Sequence, residues 1–175
     1  MKTGSMLKLT GLLAAFSLTS MLLAVAPSAL AGGPGAADNA TNLSQRASDT
    51  LATVHQDAET IENSADTLEG YNREAFEIDW RVDARTLGNM KSDINKVDKM
   101  VHQLRGMEAD LPQAEQSEIN QIVPAAAELT NNAQLAIRFL STHQEGTMLP
   151  QYTSYAGEMY AEAARIVQST APARS

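Results

Sequence analysis

From Ala47 onward the chain places an apolar residue at alternating steps of four and three: Ala47, Leu51, Val54, Ala58, Ile61, Ala65, Leu68. Those steps average close to one turn of an α-helix, so all seven side chains fall along one stripe, whereas a half-buried strand would need every second residue. A helix with such a stripe gains little alone and must lay it against a neighbour. The rest of the sequence supplies the neighbours. Trp80, Ala84, Leu87, Met90, Ile94, Val97, Val101 and Leu104 step 4, 3, 3, 4, 3, 4, 3. Ile119, Ile122, Ala126, Leu129, Ala133, Ala136 and Leu140 step 3, 4, 3, 4, 3, 4, and Tyr152, Tyr155, Met159, Ala163, Ile166 and Thr170 make a shorter fourth series.

Residues at the ends of these series predict where the helices start and stop. Asp38, Asn39, Thr41 and Asn42 are candidate N-caps for the first, and Gly70 is a natural stop. Arg105 followed by Gly106 suits the end of the second. Asp110 with Gln113 three residues on has the form of a capping box, with Pro112 acceptable in the first turn. Pro124 cannot donate its backbone bond and predicts a kink or a split in the third helix, which Gly146 then closes. The fourth runs from Pro150 to just before Pro172. The connections 70–77, 106–110 and 146–149 are short, which forces successive helices to run antiparallel. At about 1.5 Å per residue the three longer helices reach on the order of 40 Å. The expected fold is all-α, an antiparallel up-down-up-down four-helix bundle over residues 39–171 with a tail at 172–175.

The N-terminus has a different character. Lys2 and Lys8 precede an apolar run from Leu9 to Val25, Pro27 breaks it, and Ala29-Leu30-Ala31 before Gly32 has the small-x-small pattern of a cleavage site. Residues 1–31 read as a secretory signal peptide, an uncleaved membrane anchor being the rival reading, and Gly-rich 32–38 as a flexible lead. The expected location is periplasmic or secreted. Eleven of the 13 Lys and Arg and all 21 Asp and Glu lie beyond residue 31, leaving a net charge of −10 there. Nucleic acid and anionic lipid repel such a chain, so neither is an expected partner, and no membrane contact is expected beyond the signal segment. Charge is also unevenly shared: the first helix is acidic and the second basic, so Lys and Arg of the second are read as partners of the first.

Cysteine is absent, which excludes disulfides, thiolate metal sites and covalent haem. Carboxylate-bridged di-metal bundles need Glu-x-x-His on two helices, which this chain lacks. Its weak metal candidates are two i, i+4 pairs, His55 with Glu59 and Asp98 with His102, each beside a seam residue. Such pairs arise easily on charged helices, and a surface or border role is the plainer reading. His143, a conceivable axial ligand for haem, is better placed to cap its helix end. Met90 and Met159 are core filler. Tyr152, Tyr155 and Tyr160 with Trp80 form either a small pocket near one end or plain core. No nucleophile, triad or phosphate loop is present, so no enzyme activity and no cofactor are expected.

Trp80, Ile94-Asn95, Ile122-Val123-Pro124, Leu129-Thr130-Asn131-Asn132-Ala133, Ala136-Ile137-x-Phe139-Leu140 and Tyr152-x-x-Tyr155 form a series. It resembles that of a group of uncharacterised exported helical-bundle proteins of environmental bacteria. The resemblance covers about half the chain. It implies that Pro124 is a deliberate kink and brings no activity with it. The expectation is a non-enzymatic binding or interaction protein of the cell envelope, its partner another envelope protein or a second copy of itself. The alternative is a bundle that holds a small molecule, haem or a divalent metal.

Overall fold

Four helices carry the stripes, in a computed structural model that describes residues 34–74, 80–143 and 150–171. The segment read as a signal peptide, the tail at 172–175 and Gly146 lie outside the described residues. The elements are α1 (Pro34–Glu74), α2 (Trp80–Met107), a 3₁₀ turn (Glu108–Asp110), α3 (Gln113–Thr142) and α4 (Pro150–Thr170), with no strand among the described residues. All seven apolar residues of the α1 stripe are buried, as are the six from Leu87 to Leu104 on α2 and all seven on α3. On α4 the buried line is Tyr152, Ala156, Met159, Ala163, Ile166 and Thr170, with Tyr155 turned partly outward. These side chains form one hydrophobic core. Each Leu or Ile fully buried in it contributes about 1.5–3 kcal/mol.

Helix α1 packs against α2 and α4, and α3 packs against the same two, while α1 and α3 meet only weakly across the middle. Alanines line much of the contact (Ala47, Ala58 and Ala65 on α1, Ala125, Ala126, Ala133 and Ala136 on α3, Ala156 and Ala163 on α4), letting backbones approach closely. Buried neighbours at Ala125–Ala126 and Phe139–Leu140 give α3 a wider apolar face than its single stripe predicts, since it must serve both α2 and α4. Side-chain bonds order the ends. Ser44 near the start of α1 bonds Glu115 near the start of α3, and His55 of α1 reaches Thr170 at the end of α4. Far from these, Phe139 at the end of α3 stacks on Tyr152 at the start of α4.

Most helix ends differ from the sequence expectation. Helix α1 starts at Pro34, inside the stretch read as a flexible lead, so Asp38, Asn39, Thr41 and Asn42 lie within it rather than at its first residue. It also passes through Gly70 to Glu74. A helical glycine costs only about 1 kcal/mol relative to alanine, too little to end a long amphipathic helix by itself. Helix α2 ends at Met107, one residue past Gly106, with Arg105 in its last turn as the sequence predicts. The capping box is not formed, because Asp110 belongs to the 3₁₀ turn and Pro112 takes the N-cap position without a side-chain bond. Buried Leu111 anchors that connection instead, and its carbonyl accepts from the Gln116 side chain at 2.8 Å. Pro124 does not split α3, which is continuous from Gln113 to Thr142. Its ring is on the exposed face, so water can satisfy the carbonyl that loses its partner. Helix α3 ends at Thr142, before Gly146. There His143 is the C-cap: its backbone N–H donates to the Phe139 carbonyl at 2.9 Å and its ring stacks on Phe139 at 4.5 Å. No described helix is long and apolar enough to cross a membrane.

Candidate functional site

The first consequence of this packing is a groove of about 580 Å³ where the N-terminal half of α1, the start of α3 and the end of α4 meet. Leu51, Pro112 and Ala114 give it an apolar floor, and His55, Glu115, Glu118 and Thr170 supply its polar groups. Thr170 is buried and donates its hydroxyl to the Ile166 carbonyl at 2.8 Å. With that proton committed, the contact of 3.0 Å between His55 Nδ1 and Thr170 Oγ1 has the imidazole as donor. Nδ1 therefore carries a proton, and Nε2 faces Glu59 Oε1 at 3.5 Å. Glu115 accepts from the Ser44 hydroxyl through Oε1, while its Oε2 is buried with no partner among the described residues. Burial, and then the neighbouring charge of Glu115, pushes the Glu118 carboxyl above its ordinary range. A carboxyl raised by burial and by a neighbouring carboxylate favours whatever brings positive charge beside it.

The remaining candidates do not join this group. His102 is largely exposed and sits 3.7 Å from Asp98 on its own helix. His55 turns toward α4, so the two pairs stay separate. Among the described residues no three of His, Asp and Glu come close enough together to hold a metal ion. Of the basic residues of α2, Lys96 bonds Asp93 on its own helix at 2.7 Å, and Asp57 of α1 adds a smaller electrostatic contribution. Met90 and Met159 are core, Met100 and Met107 pack against it, and Met148 lies outside the described residues.

The aromatic residues do not line one pocket. Tyr152 is buried and stacks on Phe139, Tyr155 meets the edge of Phe139 at 6.3 Å, and Tyr160 is on the surface. Trp80 borders a separate hollow between α2 and α3, with Arg81 over its ring at 5.3 Å.

Two buried acids went unforeseen. Glu162 is 6 % exposed and pairs with Arg165 Nη1 at 2.9 Å; burial pushes its carboxyl up and Arg165 pulls it part of the way back. Asp83 is fully buried with both oxygens unpartnered among the described residues, and burial pushes its pKa up to about 6. The signal was present: from Trp80, steps of 3, 4, 3, 4, 3, 4, 3 run through Asp83, and the apolar series reached Leu87 only by substituting the adjacent Ala84. Compared with protein families, curated proteins and solved structures, the chain matches none.

Proposed function

We propose that the chain is an exported, non-enzymatic binding protein of the cell envelope, an antiparallel up-down-up-down four-helix bundle whose groove beside His55 takes a positively charged group. The observation that carries this reading is the pairing of Glu115 and Glu118 over the apolar floor of the groove, with Glu118 held above its ordinary range. A cation with a short apolar stem fits both parts: its charge relieves the two carboxylates and its methylenes cover Leu51 and Pro112. The net negative charge beyond residue 31 draws such a ligand in and disfavours anions. Export rests on the leader pattern of residues 1–31. Contacts between the starts of α1 and α3, and between α1 and the end of α4, support the alternating helix directions.

Calorimetric titration with 1,4-diaminobutane tests the groove. Binding is expected, and Glu118→Gln weakens it by about tenfold, on the scale of one charge-assisted contact of roughly 1.4 kcal/mol. Because Glu118 must be ionised to hold the amine, affinity falls as pH drops through its raised value. No heat at neutral pH, or equal affinity in the Glu118→Gln protein, would remove this reading. A haem absorption band or stoichiometric metal in native protein would replace it with a cofactor role.

A further inference from the structure

The end of the bundle away from the groove buries two groups that the binding reading does not use. Asp83 in the first turn of α2 and Tyr152 in the first turn of α4 are both 0 % exposed. Neither Asp83 oxygen nor the Tyr152 hydroxyl has a hydrogen-bond partner among the described residues. Burial, and then the charge of Asp83, raises the Tyr152 phenol, so the two lie near each other across the core. An unpartnered buried polar group costs about 1–3 kcal/mol, and a charged one more. The start of a helix ordinarily favours an ionised acid, yet here burial outweighs the dipole.

Each packed element presents other ionisable groups near the level of Asp83. They are Glu69 on α1, Arg81 and Arg85 on α2, Arg138 and His143 on α3, and Tyr155 on α4. Glu69 has an interaction of its own, Arg81 lies over Trp80, and Arg85 and Arg138 are exposed. His143 stacks on Phe139, and the Tyr155 hydroxyl accepts from Gln151. The cause of the Asp83 shift is burial.

We propose that Asp83 and Tyr152 form a proton-operated latch, in which neutral Asp83 lets the first turns of α2 and α4 stay packed and ionised Asp83 drives them apart to reach water. The buried Tyr152 ring, stacked on Phe139, moves with the first turn of α4 in this opening. An acid whose folded pKa is raised contributes full stability below its unfolded value of 3.8 and loses it as pH rises toward about 6. Closing is therefore favoured in acid and weakened at neutral pH, and both moving parts are terminal turns, the regions that open at least cost.

Hydrogen exchange on the full chain, corrected for the intrinsic rate, reads the latch directly. Between pH 5 and pH 7.5 the first turns of α2 and α4 are expected to lose about tenfold in protection, while the start of α3 keeps its own. Asp83→Asn abolishes the difference; Tyr152→Phe, which keeps the ring, retains it, and so does His143→Gln. Equal protection at the two pH values, or a difference that survives Asp83→Asn, would overturn the latch. Should Asp83→Asn fail to fold, carbon-detected NMR of the unaltered chain decides: a carboxyl titrating near the ordinary value of about 4 also overturns it.

Discussion

The two ends of the bundle bury carboxylates in opposite ways. At the groove end Glu115 is tied to Ser44 through one oxygen and borders a hollow that a ligand can enter, so part of its burial cost is offset by a partner. At the Trp80 end Asp83 sits on the seam itself, both of its oxygens buried without a hydrogen-bond partner among the described residues. A half-buried acid becomes a recognition group because a ligand can reach it. A fully buried one becomes a source of instability that only a proton or local opening relieves.

Mutations sharpen that contrast. The largest effect is expected in the middle, where Leu129→Ala should cost about 2–5 kcal/mol in chemical denaturation. Both ends should then unfold in one transition, since one core joins them; separate transitions would break the account of a shared core. Next comes Asp83→Leu, which should stabilise the fold by on the order of 2 kcal/mol at pH 7.5, because a partnerless carboxylate gives way to an apolar side chain of similar size. The gain should shrink as pH falls from about 6 through 3.8, below which Asp83 is neutral in both folded and unfolded chains. Thr170→Val at the groove end should cost only about 1 kcal/mol, the value of the His55 bond. His102→Ala should stay within about 0.5 kcal/mol in thermal melts, as its side chain is in solvent.

Much of the core could be read in advance from the seams, because burial follows helical periodicity and α1 keeps that period without interruption from Ala47 to Leu68. The ends were less legible. Caps and glycines at Asp38, Gly70 and Asp110 express weak local preferences, and packing over a long stripe outweighs a preference of about 1 kcal/mol. His143 was readable as a cap because backbone geometry at a helix end is local. The groove was not, since His55, Glu115 and Thr170 stand on three different helices and meet only once register is set. Asp83 shows a different failure: choosing apolar residues for the stripe passed over an acid on the strict period, and such a breach of pattern marks a strained or functional position.

The central claim is that four helices alternate in direction and so place the end of α4 beside the start of α1. A cysteine-free chain makes the test clean, since introduced cysteines are the only thiols. Electron–electron distance measurements between spin labels at Ser48→Cys and Ala171→Cys should give a narrow distribution below about 20 Å, both positions bordering the groove. Labels at Ser48→Cys and Gln151→Cys should lie roughly 30 Å apart, the rise of the 21-residue α4. A long first distance with a short second one would mean that α4 runs the other way, and the groove, the latch and the separation of the two ends would fall together.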